Sequence, residues 1–170
     1  IMLIFTPDYL FEKTTDITPE FLHALGVKNL ILDVDNTLTT HDNPTPGQGV
    51  PSWLDLMRAE GFNMMIVSNN HRERVTPFAD MLGLPFCHDA KKPLSKGINE
   101  ALSKKKGAKK DTVIIGDQIL TDGLAAHLRG MKILQVMPIE PEKTTFFKFK
   151  RRFEKPFIKK YLKKHGGFAK

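Results

Sequence analysis

From Thr18 to Met137 the chain alternates short apolar runs with longer segments in which apolar residues recur every three or four positions. The short runs are almost continuously hydrophobic, which is typical of parallel strands covered by helices on both faces. They predict strands at 30–34, 63–67, 84–87, 113–115 and 132–136. The longer segments predict helices at 52–60, 71–82, 94–104 and 122–128. This alternation predicts a doubly wound α/β domain with a mainly parallel sheet.

Two prolines mark expected features of the helices. Thr18-Pro19 predicts the start of a further short helix, because proline fits the first helical position. Pro77 lies inside the segment 71–82, so this helix is expected either to kink or to begin anew at Thr76.

The basic residues are concentrated near the C-terminus. Residues 143–170 hold 11 of the 26 Lys and Arg residues and one acid, Glu154, a net charge of +10. The preceding residues carry 15 basic and 18 acidic side chains and are mildly acidic. We therefore divide the chain into an α/β domain over 1–142 and a basic, phenylalanine-rich tail over 143–170, and expect a partner for the tail.

The tail has the pattern of an amphipathic helix. Phe146, Phe149 and Phe153 recur at helical spacing among basic residues, and Pro156 is placed to start a second helical stretch. Three interpretations stay open. The phenylalanine face packs on the domain, the helix binds an anionic membrane surface, or the basic residues bind RNA or the ribosome.

The composition favours a cytoplasmic location. Cys87 is the single cysteine, so an internal disulfide framework is excluded, as is typical of a reducing compartment. No apolar run approaches the ~18 residues that span a bilayer, and the opening IMLIF is too short for the core of a signal peptide. The tail adds peripheral contact with the inner face of the membrane as a second expectation.

Polar side chains collect at the carboxyl ends of the predicted strands, the edge where open α/β sheets bind ligands. They are Asp33 and Asp35, Ser68 and Asn69, Asp117 with Asp122 at the next helix start, and the pair Lys91 and Lys92. Each alone is commonly a turn, a helix cap or a solvated pair. Together, at one sheet edge, they indicate a reaction site.

This set of residues suits phosphoryl transfer through an aspartyl-phosphate. A carboxylate nucleophile must approach an anionic phosphate, so the site needs positive charge from a lysine and from Mg²⁺, which prefers oxygen ligands. A second acid two residues from the nucleophile can protonate the leaving alcohol and later deprotonate water.

Four motifs resemble those of the haloacid dehalogenase (HAD) phosphatase superfamily, in the same order. They are DVDNT, VSNN, KKP and GDQILTD. The fuller pattern, over roughly residues 5–140, is similar to the YqeG family of HAD class IIIA phosphatases, which is related to mitochondrial phosphatidylglycerophosphate phosphatases. The resemblance implies a Rossmann-like HAD fold and a Mg²⁺-dependent phosphatase.

The resemblance also implies a role for each matching residue. Asp33 matches the nucleophile and a metal ligand, and Asp35 matches the general acid/base, whose backbone carbonyl is a second ligand. Ser68 matches the phosphate-binding hydroxyl, with Asn69 as its neighbour in substrate binding. Lys92 matches the lysine that offsets negative charge, with Lys91 as the fallback. Asp117 matches a metal ligand, and Asp122 matches the acid that supports the metal and its bound water. One departure is Asn36, where the superfamily commonly has glycine.

The insertions between motifs are too short for a cap domain, so an open site is expected. An open site admits a large phosphorylated substrate, and together with the basic tail it favours a lipid phosphate, ahead of nucleotides, sugar phosphates and phosphoproteins. The resemblance to the YqeG family implies phosphatidylglycerophosphate as the candidate lipid. No histidine, including His41, is assigned a catalytic role. The competing hypotheses are an RNA- or ribosome-associated binding protein with an idle site, and a receiver-like phosphoacceptor domain, to which the DVDNT arrangement fits poorly.

Overall fold

A computed structural model, which describes residues 2–94, 96–104 and 108–170, contains a six-stranded parallel sheet in the order β1-β6-β5-β2-β3-β4. The strands are β1 Tyr9–Phe11, β2 Asn29–Leu32, β3 Asn63–Val67, β4 Phe86–Cys87, β5 Thr112–Gly116 and β6 Lys132–Val136. The α-helices are α1 Pro19–Ala24, α2 Val50–Ala59, α3 Arg72–Leu82, α4 Lys96–Lys104, α5 Leu124–His127 and α6 Thr145–His165. The predicted doubly wound, Rossmann-like fold is confirmed.

Alternating strand residues build a hydrophobic core on each face of the sheet. Leu30 and Leu32 join a core with residues of α1, α2 and α3, whereas Ile31 joins the opposite core with residues of α4 and α5. Successive side chains of a strand point to opposite faces, so a central strand covered on both sides must be apolar throughout. This explains why the strand pattern in the sequence was nearly continuous.

The chain reverses its direction of sheet growth at β2. Strands β3 and β4 are added on one side of β2, and β5, β6 and β1 are added on the other. Leu32 is in register with Ile115, so β2 and β5 end side by side. The crevice between two such strand ends is where open α/β sheets bind ligands. The residues that follow β2 and β5 are therefore placed together by topology alone.

Apart from shifts of one or two residues at the ends of elements, the structure departs from the predicted elements in three places. Helix α3 runs through Pro77 without a new start at Thr76, so that alternative is wrong. The helix expected at 122–128 is a π-helical turn, Ile119–Gly123, followed by the short α5. Edge strand β1 was not predicted, because three residues outside the alternating region give no periodic signal.

The tail forms one helix, α6, which Thr144 caps by accepting a hydrogen bond from the amide of Phe147, and which continues through Pro156. Its buried side chains are Glu154 and Tyr161. Phe146 and Phe149 are 65% and 71% exposed, so the interpretation that the phenylalanine face packs on the domain is wrong for these two residues.

No helix within the described ranges is both long and apolar enough to cross a membrane. The described segments between β2 and α2 and between α3 and α4 add only loops and the two-residue strand β4, which is consistent with the expected lack of a cap domain.

Candidate active site

Asp33 and Asp35 lie in the turn that ends strand β2. The amide of Asp33 donates to the carbonyl of Ile115 (2.9 Å), which extends the β2–β5 ladder by one residue. The chain then turns sharply, with Asn36 at φ 59°. Asparagine tolerates this left-handed conformation better than most residues with a side chain, which accounts for its place where glycine is common.

Three carboxyl groups converge below this turn. Asp33, Asp117 and Asp122 are buried, and each offers a carboxylate oxygen within 4.8 Å of the others. The ammonium group of Lys92 donates to Asp33 Oδ1 and to Asp122 Oδ1, both at 2.7 Å. Among the described residues, the cations that contact these acids are Lys92 and Arg151, and Arg151 is shared with Glu142 and Glu154. The buried acids therefore still outnumber the positive charges, and buried charges need compensation.

The close approach of Asp122 depends on a glycine at the end of β5. A Cβ atom built on Gly116 would lie 2.4 Å from Cγ of Asp122. Asp122 Oδ2 accepts from the hydroxyl of Thr121 at 3.1 Å. Gly116 of the GDQILTD motif thus leaves room for Asp122, and the adjacent Asp117 contributes a carboxylate to the cluster.

Two carboxylate oxygens of the cluster lack a protein partner among the described residues. Asp117 Oδ1 is fully buried and makes no hydrogen bond. Asp33 accepts from Lys92 through Oδ1, and no hydrogen bond within the described ranges reaches its Oδ2. An orphaned buried carboxylate oxygen is costly unless a cation binds it. The residues present therefore fit a hard divalent cation, which takes carboxylate oxygens.

The charge balance shifts the pKa values of these groups. Burial raises the pKa of Asp33 to about 6; Lys92 opposes this rise, and Asp122 and Asp35 add to it. Burial likewise raises the pKa of Asp117, against the opposing charge of Arg151. Burial alone would lower the pKa of Lys92, but Asp122 and Asp33 raise it above its ordinary value, so Lys92 is charged at neutral pH.

Ser68 and Asn69 border the cluster at the end of β3. The Ser68 hydroxyl oxygen is buried and accepts from the amide of Asn70 at 3.0 Å, which leaves its hydrogen free to donate. The side chain of Asn69 accepts from the amide of Lys92 (2.6 Å) and donates to its carbonyl (3.1 Å). Asn69 thereby holds the backbone that carries the buried lysine, while Lys91 is exposed.

Two side chains hold Asp35 in place, and the sequence analysis assigned neither of them a role in the site. Arg74 donates to Asp35 Oδ1 and Asn70 donates to Oδ2, both at 3.2 Å. Arg74 also donates to the carbonyl of Asn43 at 2.9 Å. A charged residue in the first turn of a helix is usually solvated, so no sequence signal distinguished Arg74 from its exposed neighbour Arg72.

The candidate active site opens into a cavity of about 460 Å³. The strand-end part of its lining consists of Asp33, Asp35, Ser68, Asn69, Asn70 and Lys92. Another wall comes from the C-terminal region and comprises Glu142, Lys143, Thr144, Phe147 and Lys150. His41 also lines the cavity, where its Nε2 lies 3.0 Å from a carboxylate oxygen of Glu142. The tail, which sequence reasoning treated as an appendage, thus borders the site.

Arg151 of helix α6 contacts the acid cluster directly. Its guanidinium donates to the carboxylate of Asp117, to the Asp117 carbonyl (2.7 Å), to Glu142 (2.9 Å) and to Glu154 (3.0 Å). Sequence reasoning missed this residue because it lies among ten other basic residues of the tail.

A parallel α/β sheet with acids after β2 and β5, a hydroxyl after β3 and a buried lysine is the arrangement of HAD-type hydrolases. The haloacid dehalogenase-like hydrolase family model matches residues 12–136, and the chain belongs to this family. This confirms the family predicted from the four motifs and the prediction that the chain is an enzyme.

The chain is also similar to a curated protein of the YqeG group. It is 36% identical over 162 residues to Probable phosphatase YqeG of Bacillus subtilis (strain 168), covering 95% of this chain and 94% of that protein. The resemblance to the YqeG family is confirmed.

Solved structures share the fold at low sequence identity. An uncharacterized protein from Listeria monocytogenes serotype 4b superposes with a TM-score of 0.57 at 15% identity, covering 69% of this chain and 85% of that one. The Bacillus subtilis HAD-hydrolase YfnB, in a magnesium-bound crystal form, gives a TM-score of 0.57 at 13% identity, covering 71% and 91%. These likenesses concern the fold alone.

Proposed function

We propose that this hydrolase is a Mg²⁺-dependent phosphomonoesterase that acts through an aspartyl-phosphate on Asp33. The observation that carries the proposal is the pairing of Asp33 Oδ1 with Lys92, while Oδ2 has no partner within the described ranges and the residue lines the open cavity. A buried carboxylate beside a fixed ammonium group is suited to attack an anionic phosphate, because the lysine offsets the added charge.

The cation would be held by the carboxylates of Asp33 and Asp117 and the backbone carbonyl of Asp35, with Asp122 supporting the cluster. The orphaned Asp117 Oδ1 and the excess of buried acids support this donor set. When bound, Mg²⁺ neutralises charge on the phosphoryl oxygens and on the nucleophile.

In the first half-reaction an Asp33 oxygen attacks phosphorus and the bond to the substrate alcohol breaks. Lys92, Ser68 and Asn69 hold the phosphoryl oxygens, and protonated Asp35 gives its proton to the leaving alcohol. In the second half-reaction Asp35 takes a proton from water, whose oxygen attacks the same phosphorus. The phosphorus–Asp33 bond breaks, which restores the carboxylate and releases inorganic phosphate.

Variants of Asp33 and Asp35 test this mechanism. Asp33→Asn is expected to abolish Mg²⁺-dependent hydrolysis of a generic aryl phosphate, because the amide cannot form the phosphoenzyme. Asp35→Asn is expected to cripple turnover while some phosphoenzyme still accumulates. Mg²⁺-dependent activity at the parent level in the Asp33 variant contradicts the mechanism.

We further propose that the substrate is a lipid phosphate, with phosphatidylglycerophosphate as the first candidate, presented at an anionic membrane surface. The cavity is open, and Lys150 of its wall lies 4.7 Å from the ring centroid of exposed Phe146. Phe149, which precedes Lys150 in α6, is also exposed. A basic helix with exposed aromatic residues suits binding at such a surface. The relation of the YqeG group to phosphatidylglycerophosphate phosphatases supports the same choice, with the protein at the inner face of the membrane.

A phosphate-release assay tests the substrate. Phosphatidylglycerophosphate in liposomes is compared with soluble sugar phosphates and nucleotides, using the parent protein and a Phe146→Ser/Phe149→Ser variant. We expect preference for the liposomes and a loss of that preference in the variant, with aryl phosphate hydrolysis unchanged. Equal rates of phosphate release from liposomes by both proteins contradict the membrane role. Binding of the protein to RNA instead of to liposomes favours the alternative of an RNA-binding tail.

A further inference from the structure

Arg151 of helix α6 is enclosed by three acids. Its guanidinium lies against the carboxylates of Asp117, Glu142 and Glu154, and it also donates to the Asp117 carbonyl. The Arg151 side chain is 14% exposed, whereas those of Asp117 and Glu154 are fully buried. Removing these ionised side chains from water costs desolvation energy, so a contribution to the stability of the fold is by itself a weak explanation for their burial.

The contact with Arg151 engages one side of the Asp117 carboxylate. Asp117 Oδ2 and the Asp117 carbonyl both accept from the same guanidinium, and Oδ1 is left without a partner. Asp117 belongs to the acid cluster with Asp33 and Asp122. Repulsion within such a cluster would favour turning the carboxylate away. The hydrogen bond from Arg151 to Oδ2 opposes that rotation, and the bond to the Asp117 carbonyl holds the guanidinium in place.

Only arginine meets the geometry around this carboxylate. Its planar group has five N–H donors, and here they reach Asp117, Glu142 and Glu154 at once. Lysine would keep the charge but would offer one ammonium group on a shorter reach. Glu142 and Glu154 in turn hold the guanidinium in place.

We propose that Arg151 is a positioning residue that presents Asp117 Oδ1 to the divalent cation, which makes α6 a part of the metal site. This inference rests on the proposed function, since it assumes that Asp117 is a cation ligand. Residues that orient a metal ligand through its second atom typically change metal affinity or activity by about 10–100-fold when replaced.

Binding of Mn²⁺ in the absence of substrate tests this role, measured by electron paramagnetic resonance of the free ion on the full chain. The variants are Arg151→Met, Arg151→Lys and Asp117→Asn, and exposed Arg152→Met is the matched control. Arg151→Met is expected to raise the Kd for Mn²⁺ about 10–100-fold, and Arg152→Met to leave it within about twofold. Arg151→Lys is expected to fall between them, because it keeps the charge and loses the shared contacts.

The outcomes separate this inference from the function on which it rests. If the parent protein binds no Mn²⁺, or if Asp117→Asn binds it as tightly as the parent, the proposed metal site itself fails and the inference fails with it. If the parent binds and Asp117→Asn does not, a parent-like Kd in a folded Arg151→Met protein overturns the positioning role alone.

Circular dichroism verifies that each variant is folded before binding is measured. If Arg151→Met does not fold, Arg151→Lys decides the matter: a parent-like Kd overturns the inference, and a raised Kd supports it. A role confined to stability would lower the urea midpoint of the Arg151 variants and leave the Kd of the folded protein unchanged.

Discussion

The ammonium group of Lys92 lies 2.7 Å from a carboxylate oxygen of Asp33, although the two residues are 59 positions apart in the chain. The same group reaches Asp122 at an equal distance. Replacing Lys92 with methionine keeps most of the volume but leaves two buried carboxylates without their shared partner. Breaking a buried ion pair in this way costs about 3–5 kcal/mol.

For Lys92→Met we therefore expect a large drop in the free energy of unfolding, measured by urea denaturation, and a loss of at least about 100-fold in kcat. Exposed Lys91→Met is the control, with both quantities near the parent value. Parent-like turnover in Lys92→Met would exclude Lys92 from the reaction.

Gly116 gives a second prediction, since a methyl group there would collide with Asp122. Gly116→Ala is expected to displace Asp122, destabilise the protein by about 1–3 kcal/mol and reduce kcat. Gly123→Ala is the matched control, because its added Cβ finds no atom closer than 3.8 Å. Crystallography of the variant, or kcat with a urea titration, checks the result; an active, fully stable Gly116→Ala protein contradicts it.

Arg74 is expected to hold Asp35 in position for proton transfer. In Arg74→Gln the carboxylate keeps its contact with Asn70 and loses the arginine. A misplaced catalytic group can cost about 100-fold, so we expect kcat to fall by about 10–100-fold with little change in KM. Steady-state kinetics on an aryl phosphate measure this effect. Exposed Arg72→Gln should behave like the parent, and an equal loss in both variants would point to a general effect of charge.

The pair formed by His127 and Asp8 predicts a pH-dependent stability far from the site. The hydrogen bond that His127 donates to the Asp8 carboxylate raises the pKa of His127 above its ordinary value, despite burial. Burial raises the pKa of Asp8, but hydrogen bonds from His127 and from the Ile133 amide outweigh it, so the net pKa is lowered.

The two pKa shifts define the pH window in which the His127–Asp8 pair stabilises the folded protein. The stability that His127 adds is complete below its ordinary pKa of 6.5 and is lost as the pH rises through the raised value. The contribution of Asp8 is present above 3.8 and is lost as the pH falls through the lowered value. Both are therefore present at pH 5.5.

Asp8→Asn is accordingly expected to cost about 1 kcal/mol at pH 5.5 and clearly less at pH 8.5, since the partly exposed pair is screened by solvent. Urea denaturation at the two pH values measures the difference. A cost that is larger at pH 8.5 contradicts the assignment.

The local sequence pattern was sufficient to predict the central strands and to locate the candidate residues in the motifs. Strands β3 and β6 have the predicted bounds, because five consecutive apolar-dominated residues between turns have few alternatives. Asp33 and Asp117 were found because they follow strands directly, and parallel strands end at one edge. Their roles, with those of Asp35, Ser68, Asn69, Lys92 and Asp122, stay predictions.

The sequence by itself determined the α/β class, the family and the acids after the strands, because these depend on periodicity and on residues adjacent in the chain. The resemblance favoured Lys92 and kept Lys91 as the fallback, and the tertiary structure decided that Lys92 enters the acid cluster, because Lys92 is buried and Lys91 is exposed. It also decided the placement of Arg74 and Arg151. An arginine on a helix has the same local pattern whether it is solvated or buried against a carboxylate, and only the packing of α3 and α6 distinguishes the two.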